Sequence, residues 1–204
     1  EIDYSFLIIK NLMIKNILKL MRIEQYLKNL FIFAPIFFSF QFTGINFINS
    51  IIVFVLFSLM ASAVYIVNDI YDIKVDKLHP DKKRRPIASN LISITKAYLI
   101  FLVLAVISLI GSYIFNTAIF YILIIYLSIN ILYSMKLKNI PIIDILIIGA
   151  GFVLRLFAGG YAINEMITMW IISLTFILSL FIALAKRRAD IHLSIQGKSI
   201  RKNI

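Results

Sequence analysis

Apolar residues in this chain come in long blocks rather than alternating with polar ones. Six runs follow one another, at 27–45, 47–67, 97–115, 117–135, 141–163 and 167–185. A helix needs roughly 20 mostly apolar residues to cross the hydrocarbon core of a bilayer. Helices of a soluble bundle would carry a polar face at helical spacing, and these runs carry none. The pattern therefore predicts an all-α, polytopic transmembrane helix bundle with about six spans, forming one domain over residues 1–204. Segment 4–26 differs. Leu12, Ile14, Ile17, Leu18 and Leu20 are interleaved with lysines, which predicts an amphipathic segment on the membrane surface. No internal repeat and no low-complexity linker divides the chain.

Composition agrees. The chain is 61% hydrophobic, against about 45–50% in a soluble domain. It has no cysteine, so disulfides, thiolate metal sites and cysteine nucleophiles are excluded. Nothing at the N-terminus reads as a cleavable signal peptide, because Lys10, Lys15, Lys19, Arg22 and Lys28 interrupt the apolar pattern.

A net charge of +11 raises nucleic acid as a partner, but the placement of the charges argues against it. With the N-terminus in the cytoplasm, the arm before the first span, segments 68–96 and 136–140, and everything after 186 fall on the inner side. They hold every lysine and arginine except Lys28, at the head of the first run, Lys186, just past the last, and Arg155. The opposite loops hold a single charge, Glu165. Such an asymmetry is the signature of membrane topology. The partner it implies is the lipid bilayer, not nucleic acid, with the N-terminus and the charged loops on the cytoplasmic side of a multi-pass protein.

One charged stretch asks for more than topology: "NDIYDIKVDKLHPDKKRRPIAS", residues 68–89. Asn68, Asp69, Asp72 and Asp76 have the spacing N-D-x-x-D-x-x-x-D. On one continuous helix they would share an arc of roughly 100°. They sit where the second apolar run ends, and charges beside a span are costly and usually functional. Neighbouring carboxylates are stable only with a cation among them. An oxygen-only set without histidine or cysteine suits Mg²⁺, which is usually held by one or two carboxylates plus substrate phosphates. Asp69, Asp72 and Asp76 are thus the candidate catalytic residues, and together with Asn68 the candidate metal ligands. The alternative is a solvated acidic face paired with nearby lysines. Lys82 to Arg85 follow, between the helix breakers Pro80 and Pro86. Lys82 and Arg85 are suited to phosphate oxygens on the far side of such a metal, or they serve as positive-inside anchors.

Other candidates lie farther along. Lys136 and Lys138 follow the fourth run on the same side as the aspartates, with Tyr133 as a hydrogen-bonding neighbour. Asp144 and Arg155 share one face of the fifth run, about 16 Å apart along a helix axis. That is too far for a direct pair, so a buried Arg155 must find its partner elsewhere, as a wall of a polar cavity or as a polar lock between helices. Gly149, Gly151, Gly159 and Gly160 fit close helix packing better than phosphate binding. His79 reads as a loop residue.

The string N-D-x-x-D-x-x-x-D-x-x-H-P-x-K-x-x-R-P-I-A at 68–88 resembles the first aspartate-rich motif of the UbiA superfamily of intramembrane prenyltransferases. It resembles most the branch of polyprenyl-phosphate (decaprenyl-phosphate) phosphoribosyltransferases. "MRIEQYLKNLFIFAP", "LYSMKLKNIPIIDILIIGAGFVLRLFAGGYA" and "WIISLTFILSLFIALAKRRADI" extend the resemblance over about 20–193. It implies substrate-binding roles for Arg22 and Lys28, and for Lys186, Arg187, Arg188 and Asp190 in the turn after the sixth run. Two departures matter. The family has roughly nine spans of bilayer length, so the chain is expected to be truncated at its C-terminus. And where prenyl-diphosphate-using members carry a second aspartate motif, this chain has "AKRRAD".

The implied activity is a Mg²⁺-dependent transfer of a 5-phosphoribosyl group from phosphoribosyl diphosphate to a polyprenyl phosphate. The alternative is prenyl transfer from a prenyl diphosphate to an aromatic or other small acceptor. The first motif serves both. The basic turn favours the first, because two anionic substrates need more cations. A transporter would place such carboxylates near the bilayer midplane rather than at its edge.

Overall fold

A computed structural model describes the backbone of residues 4–135, 137 and 140–195, and the side chains of 13–135, 137, 140, 142–185, 187 and 188. Every regular element among the described residues is helical. Helix α1 (Tyr4–Met21) leads into a 3-10 segment (Ile23–Phe33), then α2 (Ala34–Ser39), α3 (Gly44–Tyr71), α4 (Ile73–Leu78), a short 3-10 turn (Lys82–Arg84), α5 (Ile94–Phe115), α6 (Thr117–Met135), α7 (Pro141–Ala162) and α8 (Met169–Ile195). Four helices, α3, α5, α6 and α7, are long and apolar enough to cross a membrane, and α8 has a shorter apolar part over Met169–Ala185.

Local signals set several helix starts. Thr43 caps α3 and Ser93 caps α5, each side chain accepting a hydrogen bond from the backbone N–H three residues on. Pro141 opens α7 in the first turn, where its missing N–H costs nothing.

Helix α3 is the axis of the bundle. Two thirds (67%) of its most apolar window is buried, against 17% for α5. One apolar cluster joins Val53, Phe57, Met60 and Val64 of α3 to Ile119, Leu123 and Tyr126 of α6, Ala158 and Ala162 of α7, Ile32 of the 3-10 segment and Ile36 of α2. A second joins Ala63 and Ile66 of α3 to Leu20 of α1, Ala97, Leu104 and Ala105 of α5, and Ile87 and Ile92 of the basic loop. Ser108 of α5 donates to the Leu56 carbonyl of α3 at 2.7 Å, satisfying a hydroxyl that would be costly unpaired in an apolar interior. Exposed leucines, isoleucines and phenylalanines cover the outside of α5 and α8, the surface a lipid-facing helix presents.

The first expected span is corrected. Residues 27–45 do not form one α-helix. They fall in the long 3-10 segment, the six residues of α2 and a left-handed turn at Phe40 (φ 55°). Pro35 has no N–H to return to the Phe31 carbonyl, which instead accepts from Ala34 in 3-10 register. Arg22 at the head of the segment is also left-handed, with φ 52°. The segment packs against α3 and α7 rather than standing alone.

Candidate active site

The aspartate motif straddles a helix joint. Asn68 and Asp69 belong to the last turn of α3, Asp72 is the residue between the helices, and Asp76 lies in α4. Helical hydrogen bonding carries through, from the Asp72 N–H to the Asn68 carbonyl (3.0 Å) and from the Asp76 N–H to the Asp72 carbonyl (2.8 Å). The four residues therefore stay near one face. Asp69 and Asp76 are each only 2% exposed, deep burial for carboxylates, which are almost never fully buried unless paired.

Arginines accompany them. Arg85 Nη1 donates to Asp69 Oδ1 at 3.1 Å and to Asp76 Oδ2 at 2.6 Å. Arg22 Nη2 donates to the same Asp69 oxygen in a short contact. Two buried carboxylates and two half-buried guanidiniums thus form one cluster whose formal charges cancel. Pairing of this kind is what allows ionised groups into a poorly solvated site. Asp72, Lys28 and Lys82 also engage neighbours.

The frame around the cluster comes from three sides. The Arg22 guanidinium lies over the Tyr65 ring, 5.1 Å from its centroid. Ser62 ties the end of α1 to α3, donating to the Met21 carbonyl at 2.8 Å and standing 2.7 Å from the Tyr26 hydroxyl. Lys19 donates to the Arg84 carbonyl at 3.0 Å, fixing the basic loop to α1. His79 Nδ1 accepts from the N–H groups of Asp81 and Lys82 at 3.2 and 3.3 Å, which folds the loop back so that Arg85 reaches the aspartates. On the far side, Ser134 of α6 donates to Asn68 at 3.4 Å.

The two buried charges of α7 part company. Asp144 accepts from the Tyr133 hydroxyl at 2.7 Å. Arg155, only 4% exposed, donates from Nε to Asn29 (2.7 Å), from Nη1 to the Gly151 carbonyl (2.6 Å) and from Nη2 to the Tyr126 hydroxyl (3.2 Å). Its guanidinium lies over Phe57, Tyr126 and Phe152, 4.9 to 5.6 Å from the ring centroids. Asn29 passes the link on to Ser58 at 2.8 Å. Arg155 therefore ties the 3-10 segment to α3, α6 and α7, and no carboxylate among the described residues is paired with it.

Of the sequence candidates, the structure brings Asp69, Asp76, Arg22 and Arg85 together, with Asp72 and Asn68 beside them. Tyr133 and Arg155 serve other partners. Arg188 is exposed and Arg187 half-buried and engaged. Lys136, Lys138 and the side chains of Lys186 and Asp190 lie outside the described residues. Tyr65, Ser62 and Ser134 frame the site without having been singled out. Only their place one turn or less from a charged residue, or facing it across a helix pair, could have pointed to them.

Among the described residues no three histidine, cysteine or acidic side chains form a group that could hold a metal by themselves. What the geometry offers is a carboxylate pair converging on one cationic nitrogen, plus an amide oxygen. That fits Mg²⁺, which takes one or two carboxylates and completes its shell with substrate phosphates and water.

Known proteins resemble this chain in sequence and in fold. The model of the UbiA prenyltransferase family matches residues 30–195. The chain is 30% identical over 198 residues to decaprenyl-phosphate phosphoribosyltransferase of Mycobacterium tuberculosis, covering 94% of this chain and 66% of that one. It is 32% identical over 203 residues to the enzyme of that name from Mycolicibacterium smegmatis, covering 96% and 63%. The chain thus spans just under two thirds of the length of these relatives. Its fold is similar to that of a UbiA homolog from Archaeoglobus fulgidus bound to DMAPP and Mg²⁺, with a TM-score of 0.77 and 21% identity over 91% of this chain and 67% of that one. Membrane-length helices, the motif at 68–88 and the matched family model agree, and this integral membrane chain belongs to the UbiA prenyltransferase family.

Proposed function

We propose that the chain serves as a Mg²⁺-dependent intramembrane transferase that moves a 5-phosphoribosyl group from phosphoribosyl diphosphate to a polyprenyl phosphate. The observation that carries this is the convergence of Asp69 and Asp76 on Arg85, with Arg22 on the same carboxylate. Carboxylates and arginines together can bind both faces of a metal-bound diphosphate. Relatives at 30 and 32% identity carry the phosphoribosyltransferase name. The family model's own description, prenyltransferase, favours the second reading, prenyl transfer to a small acceptor.

Asp69 and Asp76, with Asp72 and Asn68 at the rim, would hold Mg²⁺, which would neutralise charge on the departing diphosphate. The chain's own residues supply the rest. Arg85 and Arg22 bind phosphate oxygens and hold the diphosphate in line. Lys82 and Lys28 add positive charge where negative charge builds. In the reaction, the bond from ribose C1 to the diphosphate oxygen breaks and the electron pair leaves with diphosphate. An oxygen of the lipid phosphate forms the new bond to C1. That oxygen is already ionised, so no proton needs to be removed from it. The basic turn Lys186–Arg188 favours this reading through the acceptor's phosphate and the sugar's 5-phosphate. Sidedness follows from charge: the motif, the N-terminus and the basic loops face the cytoplasm.

The test is transfer of label from radiolabelled phosphoribosyl diphosphate into a polyprenyl phosphate, in detergent with Mg²⁺. It uses this chain alongside Asp69→Asn and Asp72→Ala. Label in the lipid that both variants lose by at least about a hundredfold supports the proposal. A protein that is inert here yet prenylates a phenolic acceptor overturns it in favour of the second reading.

A further inference from the structure

Arg85 bridges the two carboxylates that would hold a metal. Its Nη1 stands 3.1 Å from Asp69 Oδ1 and 2.6 Å from Asp76 Oδ2, so one cationic atom takes both carboxylates of the pair. Arg22 shares the Asp69 oxygen. Two arginines and two aspartates already cancel. A bare Mg²⁺ entering this cluster would bring an excess of two positive charges into a site where the carboxylates are almost fully buried. Such an excess is expensive in poorly solvated surroundings. It would also have to break two charge-assisted hydrogen bonds, among the stronger contacts a protein makes. A diphosphate changes both terms. It brings the missing negative charge, and it offers the planar guanidinium fork a pair of phosphate oxygens to bind at once.

From this we infer that Arg85 is a resident counter-cation of the aspartate pair, which makes metal binding conditional on the diphosphate. In the absence of substrate it holds Asp69 and Asp76 in position and keeps metal out. When metal and diphosphate arrive together, the metal takes the carboxylates and Arg85 transfers to the phosphate. The loop is built for a short movement of this kind. Arg85 lies at the C-terminal end of the Lys82–Arg84 turn, with extended backbone (ψ 144°). The residues after it, Pro86, Ile87 and Ala88, are buried, so the anchor stays fixed while the long side chain re-aims. Arg22 differs, because its guanidinium also stacks on Tyr65 and stays tied to that ring. The inference rests on the metal–diphosphate reading above and adds a positioning role that the reading does not require.

The experiment measures binding, not turnover. Mn²⁺ serves as the probe, titrated by electron paramagnetic resonance into detergent-solubilised protein, alone and with inorganic pyrophosphate. Wild type is expected to bind Mn²⁺ weakly alone and at least about tenfold more tightly with pyrophosphate, the gain being of the size of one charge-assisted contact. Arg85→Gln is expected to bind Mn²⁺ alone at least about tenfold more tightly than wild type, and to lose most of the pyrophosphate enhancement. Arg85→Lys keeps the charge on a single donor point and is expected to fall between the two. It also provides the comparison if the glutamine variant fails to fold. Equal or weaker Mn²⁺ binding without pyrophosphate in the folded Arg85 variants overturns the inference. If wild type still binds Mn²⁺–pyrophosphate and Asp69→Asn loses it, the metal–diphosphate reading survives that result. If no form binds Mn²⁺ under either condition, both fall together.

Discussion

Replacing Gly159 with alanine tests how the 3-10 segment is held against the bundle. A Cβ at this position would overlap the backbone carbonyl oxygen of Ile32 and stand 2.8 Å from its carbonyl carbon and 3.1 Å from its Cα. All three are main-chain atoms of the 3-10 segment, so no rotamer change relieves the contact. Either α7 or the segment must shift. The segment is not free to do so, because Asn29 within it accepts from Arg155 and donates to Ser58. Overpacking a close-packed interior costs about 1–3 kcal/mol, and backbone overlap puts this case at the upper end. Alanine returns about 1 kcal/mol in helix propensity. The net is a destabilisation of about 2 kcal/mol, or a fall in Tm of about 4–8 °C for a chain of this size. Gly111 is the control. A Cβ there meets Leu56 Cδ2 at 2.6 Å, the mobile end of a side chain that can turn away. Thermal unfolding in detergent, followed by loss of helical signal, measures both variants. A Gly159→Ala protein as stable as wild type, or no less stable than Gly111→Ala, would refute the idea that this carbonyl contact fixes the segment.

Three further outcomes are expected. Tyr133→Phe and Asp144→Asn should be non-additive, with a coupling of about 1 kcal/mol in a double-mutant cycle of unfolding, because the hydroxyl and carboxylate are one bonded pair; simple additivity would show that they do not depend on each other. Arg155→Lys should destabilise more than Arg155→Met, since lysine keeps a buried charge while losing the fork and the stacking on three rings; chemical unfolding gives the order, and the reverse order counts against the lock. The chain has no cysteine, so single cysteines report sidedness cleanly. Lys83→Cys should react with a membrane-impermeant maleimide only from the cytoplasmic face, and Met166→Cys only from the opposite one, with both positions exposed. Labelling from the opposite sides would invert the topology.

Much of the bundle was legible because a bilayer leaves few choices. Backbone groups in hydrocarbon must be satisfied internally, so the long apolar runs at 47–67, 97–115, 117–135 and 141–163 had to be helices, and α3, α5, α6 and α7 follow them within a few residues. The failure at 27–45 has a specific cause. Hydropathy counts apolar residues and does not see that Pro35 removes an N–H, or that an Asn29 buried to 0% exposure requires polar company. Both facts mark a segment that packs inside a bundle rather than crossing alone. The Asn29 partner could not be read from spacing, because Arg155 is 126 residues away.

The site was half legible for a related reason. Sequence spacing reports what lies on one element, and the aspartates lie on nearly one. It requires a cation among them without saying which. The charge count alone would have allowed lysines one turn away, yet on Asp69 and Asp76 the structure places Arg22 and Arg85, 47 and 16 residues from Asp69. Physical chemistry makes that choice intelligible afterwards. A guanidinium gives up less hydration than an ammonium and binds two oxygens from one plane, so it is the better counter-ion for carboxylates buried at a membrane boundary. The same property makes it a good ligand for a diphosphate. A lysine on Asp69 would neutralise the pair equally well at rest, but as a point charge it would match the two oxygens of an arriving phosphate less well. The use of arginine where lysine is plentiful therefore accords with the diphosphate proposed above as well as with stability.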